Sequence, residues 1–340
     1  MEGRLMSAPT IERWTTLSAA AVGTAAAALV LAAFLPLALG GPAIEKLTTL
    51  FVYVILAVTW NALAGYAGLV SIGQQAFFGL GAYAAVRLSA AGVPVYPALP
   101  LAALAVGAAS VAISAPMLRL KAGEFAIGMW VVAEIAHLLV NLDPLVQGET
   151  GTSLVALNAY APEERRTAIY WLALGSTTLI LGSLFVLLRS RQGAAVQAIR
   201  DDEEAAASIG VGVQATKRLI FVLAGFGAAL AGALQLASAT SFQPHTFFSV
   251  QWTAYMIFMA LVGGLGTFEG PIAGAVVFFA IEAQFGDTGV WYLVGLGAAA
   301  LAFSLLLPHG LWGFVQRRSG LRLLFVGYRV RLSPLVGKEL

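Results

Sequence analysis

The chain has 340 residues, 59% of them hydrophobic and 11% charged, with a mean hydropathy of +0.86. A soluble domain carries about a quarter charged residues, so this composition excludes one, and a net charge of +2 gives no case for nucleic acid. The absence of cysteine excludes disulfides, thiolate catalysis and cysteine metal sites.

Apolar runs of roughly 20 residues, the length that crosses a bilayer, recur along the chain and predict an all-α, polytopic membrane helix bundle. About ten spans are expected (eight to eleven), at 17–40, 47–65, 72–91, 95–118, 123–142, 169–188, 217–238, 252–265, 270–285 and 290–308. The first run, Leu17 to Leu39, is longer than a signal-peptide core and lacks a cleavage site, so it reads as a span. The expected organisation is an N-terminal segment 1–16, a transmembrane domain 17–308 with a polar loop at 189–218, and a basic tail 309–340. With the N-terminus inside, only Lys46, Arg87, Arg165 and Arg166 of the 19 basic residues fall on the outer side. The bias of lysine and arginine toward the cytoplasm therefore predicts that both termini and the polar loop are cytoplasmic.

The first interruption is Gly65-Tyr66-Ala67-Gly68-Leu69-Val70-Ser71-Ile72-Gly73-Gln74-Gln75. Ser71 and Gln74 have capping-box spacing there. A second glycine-rich break, Gly263-Gly264-Leu265-Gly266-Thr267-Phe268-Glu269-Gly270-Pro271, occupies the matching topological position, with Pro271 suited to open a helix. Broken helices in corresponding halves point to a translocation site, where exposed helix N-termini can hold an anionic group; two tight hairpins are the plainer alternative. Asn61, Ser71, Gln74, Gln75, Gly264 and Gly266 are therefore candidates for the translocation path.

Between the breaks, Glu134 and His137 lie three apart on one helical face. Ionisable residues at membrane depth are functional by default, so both join the translocation candidates, although Glu134 can equally bond His137 or a neighbouring backbone. Glu282 is a further intramembrane acid. Asn141 to Ala168 forms the one sizeable outer loop, and Ser241-Phe242-Gln243-Pro244-His245 a short uncharged one; either could receive an external partner or simply connect spans. No histidine cluster has the spacing of a metal site, and no serine, histidine and acid occur together as in a hydrolase.

The polar loop reads Arg189 to Arg218 and contains a short capped helix. Asp201 is expected as N-cap with Glu204 three residues on, Asp202 and Glu203 add charge that the helix dipole favours, and Gly210 ends the helix. Ala205, Ala206, Ala207 and Ser208 leave a nearly flat surface that another protein's backbone could approach. Glu204-Ala205-Ala206, three residues, then Gly210 matches the EAA-xxx-G signature of ABC-importer permeases.

Several strings together resemble the branched-chain amino acid ABC transporter permeases. Asn61 to Tyr83 resembles their N-terminal signature, on the LivM-like half of the pair. Leu120 to Ile127 with Glu134-Ile135 resembles RLxGxYFAI…GEI, except that Glu124 stands where the family has an aromatic. Ala198 to Ala206 is similar to AIRDNExAA, and Gly263 to Pro271 to GGxGSxxGP. The resemblance covers roughly residues 50 to 285. It implies a multi-pass permease subunit of a bacterial or archaeal cytoplasmic (inner) membrane importer for branched-chain or other small neutral amino acids. It further implies a homologous permease partner, two cytoplasmic ABC ATPases, and a periplasmic or extracellular substrate-binding protein. Asp201, Asp202, Glu203, Glu204, Ala205, Ala206 and Gly210 would form the ATPase-coupling site. Relatives of the same architecture carry urea, short amides or small organic acids. The chain has no G-x-x-x-x-G-K-[ST] string, so it is expected to bind no cofactor and to be no enzyme, with ATP and magnesium on the partner. A stand-alone secondary transporter or channel is the rival class.

Overall fold

In the computed structural model, residues 10–12, 16–307, 309–319 and 329–331 are described. They are almost entirely helical. In chain order the helices are α1 (Thr16–Phe34), α2 (Gly41–Asn61), α3 (Gln75–Ala90), α4 (Val95–Met117), α5 (Ala122–Asn141), α6 (Pro162–Arg189), α7 (Arg191–Asp201), α8 (Glu203–Ser208), α9 (Val213–Ala239), α10 (Pro244–Phe247), α11 (Val250–Gly263), α12 (Gly270–Phe285), α13 (Val290–Leu306) and α14 (Gly310–Ser319). Eight helical stretches among the described residues are long and apolar enough to cross a membrane. The other two expected spans, α3 and α12, have 16 residues each, about 24 Å at 1.5 Å per residue. Both short helices follow a glycine-rich break.

The core lies around α2 and α9. From Val52 to Tyr66 every residue of α2 and its π-helical continuation Ala62–Tyr66 is buried. α9 packs on α3 with the backbones almost touching. A Cβ on Gly81 would lie 2.0 Å from the Ala229 carbonyl oxygen, and one on Gly232 would lie 1.9 Å from that of Phe78. Without a hydrophobic drive between helices in lipid, such small-residue contacts are what bring helices together. Phe77 meets Phe221 edge-on at 5.5 Å within the same seam. α1 stays on the periphery, held to α6 by Tyr170 Oη donating to the Ala32 carbonyl (2.6 Å) and Trp171 Nε1 to that of Ala33 (3.1 Å).

Several boundaries differ from expectation. α6 begins at Pro162, so Glu163 to Arg166 belong to a helix rather than to the outer loop. The proline suits a first turn, Glu163 and Glu164 favour the dipole there, and Arg166 bonds Glu45 of α2 at 2.6 Å and Glu163 at 2.9 Å. The outer loop shortens to 142–161 accordingly. In the C-terminal segment, α14 packs against α11 and α12. The strand Arg329–Arg331 pairs antiparallel with Thr10–Glu12, placing both described chain ends together. The remainder of the expected N-terminal segment and tail lies outside the described residues.

Candidate functional site

At one end of the bundle the two breaks meet. Asn61, 2% exposed, closes the last turn of α2 and spends its whole carboxamide on the second break. Its Nδ2 donates to the Thr267 carbonyl (2.9 Å) and its Oδ1 accepts from the Gly266 N–H (2.8 Å). Gly65 touches the same place: a Cβ there would lie 2.3 Å from Asn61 Oδ1 and 2.5 Å from the Gly266 nitrogen. Gly264 and Gly266 have φ of 131° and 75°, values that only glycine adopts without strain. Thr267 Oγ1 donates to the Gly264 carbonyl (2.7 Å) and accepts from the Gly270 N–H (3.1 Å), which starts α12. Pro271 is the second residue of that helix rather than the first.

The first break unwinds over 68–74. Ser71, fully buried, accepts the Gly73 N–H at 3.3 Å through Oγ, and its carbonyl accepts from Trp60 Nε1 at 2.9 Å. Ser71 thus closes its own turn. The expected capping box fails because Gln74, 1% exposed, makes no side-chain hydrogen bond to any described residue. Gln75 instead engages α11: its N–H donates to Thr253 Oγ1 (3.3 Å), whose hydroxyl donates to Gln75 Oε1. With the Ala76 and Phe77 amides donating to the Gly73 and Gln74 carbonyls, the N-terminal N–H groups of α3 are engaged within the chain. They form no open anion cradle in this conformation.

The polar loop folds as two helices, α7 and α8, at the same end. The N-cap of α8 is Asp202, one residue later than expected, with Oδ1 accepting from the N–H groups of Glu204 (3.0 Å) and Ala205 (2.9 Å). Asp201 remains in α7 because its carboxylate pairs with Arg200, Nε at 3.0 Å and Nη2 at 2.8 Å. Gly210 ends α8 with φ 88°. The Val211 N–H reaches the Ala206 carbonyl and the Gly210 N–H that of Ala207, the double bond pattern of a Schellman motif. Glu203 ties the helix to α9 through Lys217 Nζ at 2.6 Å. Glu204, Ala205, Ala207 and Ser208 face outward, and Ile209 is 78% exposed. Ala206 does not share that surface: at 2% exposure it packs on its own bundle. Beside α8, a cleft of about 470 Å³ is lined by Arg191, Gln192, Gly210, Gly212 and Thr216.

Arg200 joins loop to breaks. Its Nη1 donates to the Gly65 carbonyl at 2.9 Å, a contact that the sequence, which marked Arg200 only as a cation within the string Ala198 to Ala206, did not reveal. Its neighbour Asp201 and the adjacent signature string were the available signal.

Glu134 and His137 lie elsewhere, on the other half of α5. Glu134 is 60% exposed on the outer face of that helix, 3.5 Å from His137 Nδ1. His137 turns its Nε2 to Glu149 (2.9 Å) and stacks on Phe248 at 5.6 Å. Glu149 also accepts from Asn141 and from the His245 N–H (2.9 Å). Residues 152–153 pair with 241–242 in a short antiparallel ladder, joining the two segments expected to be outer loops. Next to it Asp143, 7% exposed, accepts from Tyr83 Oη (2.6 Å) and the Leu145 N–H (3.0 Å) and faces Arg87 at 2.7 Å. The Tyr83 hydrogen bond, then the Leu145 amide and Arg87, hold the Asp143 carboxyl below its usual range. For Glu149, partial desolvation opposes the shift, but Asn141, the His245 amide and His137 together lower its pKa. Glu282 bonds Tyr53 Oη through both carboxylate oxygens, 2.7 and 2.6 Å, locking α12 to α2. Glu124 is exposed and accepts from the Lys121 N–H at 3.4 Å, so the acid standing in place of an aromatic caps α5. Among the described residues no three histidines or carboxylates converge as metal ligands.

The architecture is that of a multi-pass helical membrane protein whose two broken helices meet beside a folded polar loop. The family described as branched-chain amino acid transport system / permease component matches residues 43–311. The chain belongs to that family. It is 27% identical over 315 residues to the high-affinity branched-chain amino acid transport system permease protein LivM of Escherichia coli K12, covering 84% of this chain and 73% of that one. The LivM protein of Salmonella typhimurium LT2 matches with the same identity and coverage. Among solved structures, one described as an inward-facing metal-chelate type ABC transporter superposes with a TM-score of 0.47 at 16% identity, over 85% of this chain and 98% of that one; so loose a likeness carries no weight. Members of the family are transport subunits, not enzymes.

Proposed function

We propose that this chain is the membrane-embedded permease of an ATP-driven importer for branched-chain or other small neutral amino acids. In this reading α7 and α8 dock on a cytoplasmic ATPase, a homologous permease completes the conduit, and a binding protein delivers solute to the end carrying 142–161 and 241–249. The observation that carries it is the loop itself: Asp202-capped α8 presents Glu204, Ala205 and Ile209 outward while Arg200 reaches the paired breaks. A short capped helix whose outer side is exposed supports docking of a protein surface there. Arg189, Arg191, Arg200, Lys217 and Arg218 of the loop lie at this end, in keeping with the bias of basic residues toward the cytoplasm. The exposed face of α5, carrying Glu134 among Trp130, Val131 and Leu138, would border the route or the partner permease, because an acid facing lipid is costly.

The test is reconstitution with the candidate ATPase, partner permease and binding protein. Leucine uptake that needs ATP and all components supports the proposal. Uptake of urea, a short amide or an organic acid in place of leucine would reassign the substrate. Uptake by the purified chain without ATP would establish a stand-alone transporter instead.

A further inference from the structure

We propose that Arg200 is the positioning residue that transmits movement of the polar loop to both helix breaks, an inference that rests on the permease reading above. Three observations converge on it. First, the α2 helix with its π-helical end leaves its last carbonyls without helical partners, and the guanidinium takes that of Gly65 at 2.9 Å. A cation is favoured at such a terminus, and single π-turns recur where helices must change shape. Second, Asp201 fixes the guanidinium through two bonds of 3.0 and 2.8 Å to one carboxylate oxygen. The direction of the side chain is thereby tied to the backbone of α7. Third, the contact is fitted to glycines on both breaks. A Cβ on Gly68 would lie 3.3 Å from Arg200 Cγ, and one on Gly266 would lie 3.5 Å from Nη1 and 3.2 Å from the Gly65 carbonyl.

From Gly65 the link continues without a gap. Asn61, one turn earlier, holds the Gly266 N–H and the Thr267 carbonyl, and Thr267 starts α12 through Gly270. A displacement of α7 therefore either drags the end of α2 and the start of α12 with it or breaks the Arg200 bond. The side chain of Arg200 is about one-third exposed, so the bond can be remade as the loop moves. Lysine cannot reproduce the arrangement, because bonding Gly65 and Asp201 together uses the planar fork of arginine.

The experiment uses the assembled complex in vesicles and reads solute transported per ATP hydrolysed, alongside ATPase recovered per permease. Arg200→Gln should keep ATPase recovery and hydrolysis at the wild-type level while the transport ratio falls about tenfold or more, the scale of a lost hydrogen bond to a charged group. Arg200→Lys should fall between, and Asp201→Asn should lower the ratio least. Asp202→Ala is the contrast: it weakens the α8 cap and should lower ATPase recovery itself, which Arg200→Gln leaves intact. Because the chain has no cysteine, spin labels at Val70→Cys and Leu265→Cys, both partly exposed, report the separation of the breaks directly. Nucleotide should shift that separation in the wild-type background and leave it unchanged with Arg200→Gln. An unchanged ratio and a normal nucleotide response in Arg200→Gln would overturn the proposal, as would loss of ATPase recovery in parallel with uptake, which would make Arg200 a loop-folding residue only. Failure of the wild-type permease to recover an ATPase would instead remove the permease reading beneath it.

Discussion

The two ends of this bundle are held in opposite ways. At the end of 142–161 and 241–249, every connection is pinned: Asp143 takes Tyr83, Arg87 and the Leu145 amide, Glu149 gathers His137, Asn141 and the His245 amide, and a strand pair joins the two segments. At the end of α7 and α8, among the described residues, the loop is held by Arg200 to Gly65, Lys217 to Glu203, Thr216 to Gln192 and the buried Val196, Ile199 and Ala206, and its outer surface is open. A dense, mutually satisfied polar network fixes one geometry. A rigid loop on a few directional contacts can move as a body and carry its contacts along. Under the proposal above, one end would hold shape and the other would pass on motion, and each prediction below tests that division.

The largest effect is expected at Ala206. Because it is buried against its own bundle, Ala206→Trp should unseat α8, with overpacking of about 1–3 kcal/mol, rather than only block a partner. Amide exchange across 203–210 should rise in the isolated permease, and ATPase recovery should be lost. Protection equal to wild type in the free protein would return Ala206 to the docking surface.

Next comes the pinned end. Asp143 and Glu149 both have carboxyl groups held below their usual range. Such a group stabilises the fold above its unfolded pKa, and that contribution is lost as pH falls through the lower folded value. Exchange in 143–154 should therefore stay slow at neutral pH and quicken below about pH 4, the ordinary carboxylate range. Asp143→Asn should produce the same loosening at pH 7. If acid loosened 203–210 first, the division between the ends would fail.

Much of this was legible in the chain. Apolar runs gave the helices, glycine clusters gave both breaks, and Gly210 declared its left-handed turn. Sequence also marked Asn61 through the signature around it. What it could not order was which of two neighbouring aspartates caps α8. Asp201 and Asp202 are chemically equal, and the choice falls to Arg200, whose partner Gly65 is 135 residues away. Nor does a string of alanines reveal which one is buried, since Ala205 and Ala206 present the same side chain to any periodicity. Glu134 falls within α5, as the pattern expected, but its contact with the Glu149 cluster through His137 depends on how a distant loop folds back.

Asp202→Ala tests the loop more gently. It leaves two amides of α8 without their cap, worth about 0.5–2 kcal/mol. ATPase recovery should drop severalfold while exchange in 143–154 is unchanged. An equal loss of protection at both ends would show them to be one cooperative unit.

The smallest effect, and the sharpest, concerns Gly210. Its φ of 88° lies in the region that favours glycine, yet an added Cβ would meet nothing within 4 Å. Substitution there changes backbone preference without creating a clash inside the chain. Gly210→Ala should therefore cost about 1 kcal/mol from conformation alone, and Gly210→Asn less, because asparagine tolerates the left-handed region. In the free permease, exchange in α8 should rank wild type slowest, asparagine next and alanine fastest. If α8 serves only as a rigid body, ATPase recovery should follow the same ranking. If the open space beside Gly210 is filled by the partner, asparagine should bind as poorly as alanine or worse despite its better-formed helix. Recovery that tracks side-chain size rather than helix protection would place Gly210 inside the docking contact; recovery that tracks protection would confine its role to ending the helix.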